Sequence, residues 1–445
     1  MSFNVGDKFF VGINQGWFEN KYGHDLGSSE FSGAALWSYP LSAPLTVDLS
    51  KPNPTQDQPY LSQHPEAIEQ YFSKINGVNV IRLWLFEKLE GLVFNKDGNN
   101  SLIGLDQSFI NNLLNVLNSA STYNIKVYLT LLNSWDTNQS PPSGLQQSRI
   151  GDYTKLLLAT KQIIVNIIEN PTDFCNNILI PLLEAIKNNP AIFAIDLINE
   201  PESLTESNMI SSSQLRNFVE FTARKIKPYG IKVSVGCMRR NISVSLSSAI
   251  IDFSDVHAYN NPTNPIPAKL DAYDSSAFSG KYCIIGECGY HPETKPYDQN
   301  QEVPVLEGYL DDANKQGYAG VLAWRFQDYK NPDGIIQTVK NFANTNPTIQ
   351  SKPKQGCFIA TAAMDSEIHP HVQFLREYRD KVLLKSSHKE QFEKILDHYY
   401  NFSPPIADAM NRDRYLKRAV KYMIVYPIVL SLKILVLLFG NKLKD

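Results

Sequence analysis

Eight short runs of β-branched and aromatic residues, each followed by an amphipathic stretch, constrain this chain more than any other feature. The runs are FFVGIN (9–14), VNVIRLWLF (78–86), IKVYLTLL (125–132), AIFAIDLIN (191–199), IKVSVG (231–236), FSDVHAY (253–259), YCIIGE (282–287) and AGVLAWRF (319–326). Near-continuous apolar runs of this length read as strands covered on both faces. Between them, apolar residues recur at three- and four-residue steps in 65–75, 106–121, 173–189, 211–226 and 304–317, the pattern of helices with one buried face. Strands alternating with helices build a parallel sheet. Eight such units in about 340 residues suit an α/β fold of the (β/α)8 TIM barrel type, with insertions. A doubly wound open sheet is the rival. It usually has fewer strands and a Gly-rich phosphate loop after the first, and FVGINQGWF is no such loop.

The composition, 43% hydrophobic and 20% charged over 445 residues, excludes wholesale disorder. The net charge of −3 conceals two parts. Residues 356–445 hold 14 Lys and Arg against 10 Asp and Glu, and residues 1–355 hold 28 against 35. An acidic body with a basic tail presents no global positive field, so nucleic acid is not an expected partner. The expected organisation is a barrel over 1–343, a linker over 344–356 and an all-α module over 357–445. Cys175, Cys237, Cys283, Cys288 and Cys357 are too few and too irregular for a disulfide framework or a zinc site, and read as free thiols.

The N-terminus, MSFNVGDKFFVGINQGWF, lacks the pattern of a secretory signal, so a cytoplasmic location is the default expectation. Met423 to Phe439 is apolar apart from Ser431 and Lys433, with Lys417, Arg418 and Lys421 before it and Lys442 and Lys444 after it. Two readings stand: a segment in or on a membrane, or a buried helix of the small module. Lys433 in mid-span is costly in lipid.

Barrels place substrate contacts on the loops that follow their strands. Two such loops are long: 18–62 and 133–152. The fourth run ends in Asn199-Glu200-Pro201 and the seventh in Gly286-Glu287-Cys288, so both glutamates are expected at the barrel mouth. Strands four and seven lie on opposite sides of an eight-stranded ring. Two facing carboxyls are the minimum kit for cleaving a glycosidic bond, one to give a proton and one to act as nucleophile or base. Arg82 interrupts an apolar strand and needs a carboxylate partner. His257 and Tyr259 close the sixth run, and Trp324 sits in the eighth, where an indole can stack on a sugar. Trp17, Trp84, Trp135 and Asp136 gather at the ends of the first three. Any one of these reads more simply as core packing or a surface ion pair. Together, at strand C-termini, they point to an oligo- or polysaccharide site.

Ile81-Arg82-Leu83-Trp84, Asn199-Glu200-Pro201, His257-Ala258-Tyr259, Gly286-Glu287 and Trp324 resemble the retaining glycoside hydrolases of clan A, and are most similar to family 5, the cellulase and mannanase relatives. The resemblance implies Glu200 as acid/base and Glu287 as nucleophile. Arg82 would keep Glu287 ionised, Tyr259 would hydrogen-bond it, and Asn199 would bind the sugar 2-hydroxyl. His257 would bind substrate or orient the acid/base, and Trp324 would be a sugar platform. Arg82 and Tyr259 are expected to depress the Glu287 pKa and a drier setting to raise that of Glu200. No metal or cofactor is expected. Two departures stand out. The third strand ends in Asn133-Ser134-Trp135-Asp136 where many relatives carry a His, and Cys288 stands where an aromatic is frequent. The substrate is expected to be a β-linked glucan or mannan. A glycan-binding barrel of weak activity held near a membrane, and a transglycosylase, are the alternatives.

Residues 356–430 resemble a C-terminal domain named for its Cys-Phe-Ile box, here Cys357-Phe358-Ile359. That resemblance supplies no function. Three amphipathic helices are expected, over 372–384, 388–400 and 407–430, forming a small interaction or surface module. Cys357 as a modification or anchoring site is the sharper alternative.

Overall fold

The computed structural model describes residues 9–19, 21–23, 25–27, 59–94, 102–137, 153–260, 269–291, 294–345, 358–364, 369–383, 386 and 388–439. The chain divides into two compact units, Met1–Lys352 and Pro353–Asp445.

The first unit is a parallel barrel. Its strands are β1 Phe10–Gln15, β2 Val80–Trp84, β3 Lys126–Asn133, β4 Ile192–Asn199, β5 in two pieces (Lys232–Ser234 and Gly236–Cys237), β6 Ser254–Tyr259, β7 Cys283–Gly289 and β8 Gly320–Ala323. All neighbours are parallel, and β8 returns to pair with β1 through Phe10 opposite Gly320 and Ile13 opposite Ala323. The split in β5 completes the ring. Its first piece pairs back to β4, with Val233 opposite Ile195. Its second pairs forward to β6, with Gly236 opposite Asp255. Each of the eight apolar runs supplies one strand, and together they form the expected (β/α)8 barrel.

The apolar residues of the barrel divide between two cores, in most strands by the period of two. Val11, Ile13, Ile81, Leu83, Leu129, Ile195 and Leu197 join the large cluster shared with the surrounding helices. Phe10, Val80, Tyr128, Phe193, Ala194, Phe253, Ile284 and Leu322 form a separate cluster within the ring. There Phe193 is the hub, with ring centroids 5.4 Å from Phe10 and 5.8 Å from Phe253. Next along the inward-facing positions come Asn14, Arg82, Asp196 and Asp255, all fully buried. An apolar plug thus underlies a polar layer.

The helices follow their sequence signals. Asp106 caps Gln107–Thr122 by accepting from the backbone of Ser108 and Phe109. Ser211 and Gln214 form a reciprocal capping box on Ser212–Ile226. Gly317, at φ 87°, ends Glu302–Gln316. The expected helix over 173–189 is interrupted by a π-turn at Cys175–Leu179, just ahead of Pro181, which has no N–H to give. An antiparallel hairpin, Leu92–Phe94 with Leu102–Leu105, follows β2 and was not expected. Its strands are short and lie outside the barrel's strand–helix alternation. Cys175, Cys237, Cys283 and Cys288 are buried and unpaired.

The second unit is helical: Phe358–Met364, Pro370–Lys381, Lys389–Arg412 and a run from Arg414 to Phe439. Its core holds Ala363, Met364, Val372, Met410, Val420 and Val425. The break between the last two helices falls six residues into the expected third one (407–430). Asp413 is extended there, at φ −121° and ψ 107°, and its carboxylate accepts from the backbone of Tyr415 and Leu416. An Asp that caps its own neighbours competes with helix continuation. Residues 407–412 therefore finish the preceding helix. Cys357 and most of the 344–356 stretch lie outside the described residues.

Candidate active site

The polar layer is organised by one guanidinium. Arg82 sits in the middle of β2, opposite Asn14 of β1 and Tyr128 of β3. Its Nη1 donates to Asn14 Oδ1 (3.0 Å) and to Glu287 Oε1 (2.5 Å). Its Nη2 donates to Asp196 Oδ2 (2.7 Å) and Asn199 Oδ1 (2.8 Å). Burial alone would lower the Arg82 pKa, but Asp196, Glu287 and Asp255 outweigh it and raise it. The planar fork reaches four acceptors on three other strands at once, which a lysine ammonium could not do.

Asp196 ties this layer to the split strand: Oδ1 accepts from Gly236 N at 2.9 Å, and Oδ2 from Thr130 at 3.0 Å. Gly236 has to be small. A Cβ there would stand 2.8 Å from Arg82 Nη2 and 3.0 Å from Asp196 Oδ2. Asp255 accepts from Tyr128 at 3.0 Å, and burial pushes its pKa up to about 7.

Above this layer stand the two glutamates. Glu287 lies two residues before the end of β7 and accepts from Arg82 and, at 3.0 Å, from the Tyr259 hydroxyl. Glu200 follows β4 with φ 46°, a left-handed conformation unusual for a residue with a Cβ. The turn is held by Glu200 N donating to Gly236 O at 2.7 Å and by the Ser134 hydroxyl donating to Glu200 O. Its carboxyl accepts from Trp135 Nε1 and lies 2.6 Å from His257 Nδ1. The same Nδ1 is 3.6 Å from Glu287 Oε2. One oxygen from each glutamate and one His257 nitrogen lie within 4.8 Å of one another.

The proton order differs from the expectation. Burial would raise Glu200, but the hydrogen bond and charge of His257, with Trp135, outweigh it and leave the carboxyl below the ordinary range. Burial raises Glu287, and His257 and Arg82 do not fully compensate. His257 rises to about 9: burial opposes its charge, but Glu287 and Glu200 win. The expectation rested on Arg82, Tyr259 and burial, and overlooked an imidazolium shared by both carboxyls.

The tryptophans separate into two groups. Trp17, Trp84 and Trp324 contact one another, with ring centroids 5.7 to 6.1 Å apart. Trp84 is buried, whereas Trp17 and Trp324 are half-exposed. Trp17 is held by Arg325, whose guanidinium lies 4.4 Å over its ring and donates to its carbonyl. Trp135 stands apart from that cluster, against Glu200. Asp136 is wholly buried and its carboxylate accepts from Tyr22, from Asn133 and from Lys88 N, tying three loops together. Asn199 is likewise engaged, donating to Asn133 at 3.1 Å while accepting from Arg82.

No protein-family model matches the chain. A mannan endo-1,4-beta-mannosidase of Mytilus edulis is 23% identical over 377 residues, covering 74% of this chain and 86% of that one. A mannan endo-1,4-beta-mannosidase of Cryptopygus antarcticus is 25% identical over 374 residues, 72% of this chain and 81% of that one. Among solved structures, the beta-mannanase of Mytilus edulis superposes with a TM-score of 0.54 at 19% identity, covering 78% of this chain and 95% of that one. The body therefore shares the barrel fold of the Mytilus edulis beta-mannanase, and its sequence is similar to both mannosidases over most of their length.

Asp196, Asp255, Asn14 and Asn133 were missed from the sequence. The signal for the two aspartates was present, since each interrupts an apolar run as Arg82 does. Arg82→Met is expected to leave Asp196 and Glu287 unpaired in the interior and to cost about 3–5 kcal/mol in a urea unfolding titration. Arg82→Lys should fall between it and the parent. A methionine variant as stable as the parent would remove the guanidinium from its organising role.

Proposed function

We propose that the chain is a retaining endo-acting glycoside hydrolase that cleaves β-linked mannan, with Glu287 as nucleophile and Glu200 as acid/base. The observation that carries the assignment is the approach of one Glu200 oxygen and one Glu287 oxygen to within 4.8 Å. Retaining pairs sit about 5–5.5 Å apart, while inverting pairs stand about 6.5–9.5 Å apart to admit a water. The mannosidases of Mytilus edulis and Cryptopygus antarcticus support the choice of mannan over glucan.

In the first step Glu287 attacks the anomeric carbon and Glu200 gives a proton to the departing glycosidic oxygen, breaking that bond and leaving a glycosyl ester. In the second, Glu200 takes a proton from water as its oxygen attacks the same carbon, and Glu287 leaves as carboxylate. Arg82 and Tyr259 hold the nucleophile, His257 and Trp135 orient the acid/base, and Trp17 and Trp324 offer faces to sugar rings. Asn199, held between Arg82 and Asn133, is assigned the sugar 2-hydroxyl through the remaining hydrogen of its amide.

For the second unit we infer contact with a lipid surface. The helix Arg414–Leu437 is long and apolar enough to cross a membrane, and only 17% of its most apolar window is buried. Met423, Leu430 and Leu437 are 77%, 62% and 85% exposed. The basic residues Lys417 and Arg418 near its start favour an anionic surface.

Three outcomes follow. A 2-fluoro-mannoside trap should label Glu287, with Glu287→Ala losing about 10⁴-fold in kcat. Labelling at another carboxylate during turnover would refute the assignment. Mostly transfer products from a mannan oligosaccharide would indicate a transglycosylase. In kcat/KM against pH, activity should fall as pH drops through the raised Glu287 pKa, because the nucleophile becomes protonated. It should fall again as pH rises through about 9, when the His257–Glu200 pair loses its proton. His257→Asn should pull that upper limb to lower pH, and an unmoved limb would exclude the pairing. Finally, the full chain should float with anionic vesicles, and Leu430→Glu with Leu437→Glu should abolish flotation.

A further inference from the structure

The loop after β1 and the segment after β2 meet around three carboxyl groups that no catalytic step uses. Asp25 and Glu87 are 1% exposed and Glu90 is wholly buried. One oxygen of each lies within 4.8 Å of one from each of the others. In each carboxyl one oxygen is satisfied by backbone. Asp25 Oδ2 accepts from Phe18 N at 2.8 Å and Glu87 Oε2 from Gly23 N at 3.0 Å. Glu90 Oε1 accepts from Leu26 N at 2.6 Å and Gly27 N at 2.5 Å. Among the described residues, the second oxygen of each (Asp25 Oδ1, Glu87 Oε1, Glu90 Oε2) is buried with no donor group to meet it, and Asp25 and Glu90 meet each other only by sharing a proton.

Three such acceptors in one dry place need protons or a positive partner. The nearby guanidinium of Arg325 is committed elsewhere, to the carbonyls of Trp17 and Glu19 and to Asp328. Burial raises all three carboxyl pKa values, and for Glu87 and Glu90 the charge of Asp25 raises them further. That describes a cluster that holds either protons or a cation. The ligand atoms are all oxygen, the preference of a hard ion. Two oxygens bound to one calcium ion at about 2.3–2.6 Å can be no more than about 5 Å apart, a limit this trio meets.

We propose that Asp25, Glu87 and Glu90 bind a hard divalent cation of the calcium type, which fastens the loop after β1 to the segment after β2. The role is structural. The same loop carries Trp17 and Tyr22, and the same segment carries Lys88, whose backbone N–H donates to Asp136 together with the Tyr22 hydroxyl. An ion joining the two would set the wall of the cleft that holds the tryptophan cluster, with no part in bond cleavage. The proposal does not depend on the substrate or the mechanism.

The test uses the full chain purified without chelator. Mass spectrometry of the metal content should find about one calcium per chain. After stripping with EDTA, titration calorimetry with CaCl2 should show one site, and the melting temperature should rise by several degrees. Glu90→Gln and Asp25→Asn should lose that rise, and the exposed-site control Asp173→Asn should keep it. The calorimetry on the stripped parent stands even where a variant fails to fold. If the stripped parent binds none of Ca²⁺, Mg²⁺ and Mn²⁺, the cluster holds shared protons and the proposal is wrong. A Glu90→Gln variant that binds calcium as the parent does would equally overturn it.

Discussion

A guanidinium buried inside a barrel is the constraint on which this active site depends. Arg82 cannot shed its proton and cannot reach water, so every carboxylate that settles near it does so because the charge has to be met. Four acceptors from β1, β4 and β7 converge on its two terminal nitrogens. One of them, Glu287, is thereby fixed at the mouth with its remaining oxygen free for Tyr259. Asp196 does the complementary job below, reaching from Arg82 to the backbone of Gly236, where the fifth strand breaks and the ring closes. The closure of the fold and the placing of the nucleophile therefore rest on one network.

The same network explains why the interior is layered. Phe10, Phe193 and Phe253 fill the ring below Arg82 and keep water out. The low polarity they impose strengthens each charged hydrogen bond above them and makes an unmatched charge expensive. The charged side chains of the interior gather at the upper end, above the aromatic plug.

Much of this was legible in the chain. Eight apolar runs fixed the barrel because inward and outward positions both had to be apolar, and only buried parallel strands require that. Glu200, Glu287, His257, Tyr259 and Trp324 could be placed because each sits at the end of a run, and strand direction then sends all of them to one mouth. What stayed hidden depended on contacts distant in sequence. Asp136 resembles a ligand-facing acid beside Trp135, yet Tyr22 and Lys88 turn it inward as a strut between loops. The hairpin after β2 and the helix break at Asp413 were missed because each is decided by a local capping or pairing choice that leaves the apolar period almost unchanged. The carboxyl cluster of Asp25, Glu87 and Glu90 could not be read at all, since sixty residues separate its first member from the others.

The least expected feature is the order of protons, and His257 accounts for it. In the proposed mechanism Glu200 must hold a proton while Glu287 is charged, yet in the free cleft His257 holds Glu200 down and burial holds Glu287 up. The imidazole lies 2.6 Å from one carboxyl and 3.6 Å from the other, so its proton is already in the hydrogen bond that the acid needs. An ion pair between His257 and Glu200 is favoured while water reaches the mouth. A sugar stacked on the tryptophans excludes that water, and a drier pocket favours the neutral pair, with the proton on Glu200. The loss of the imidazolium charge leaves Arg82 as the one full cation beside Glu287. Arg82 cannot release its proton, so Glu287 keeps a counter-charge while Glu200 is armed. On the proposed mechanism, substrate binding loads the acid and leaves Arg82 and Tyr259 to hold Glu287 charged.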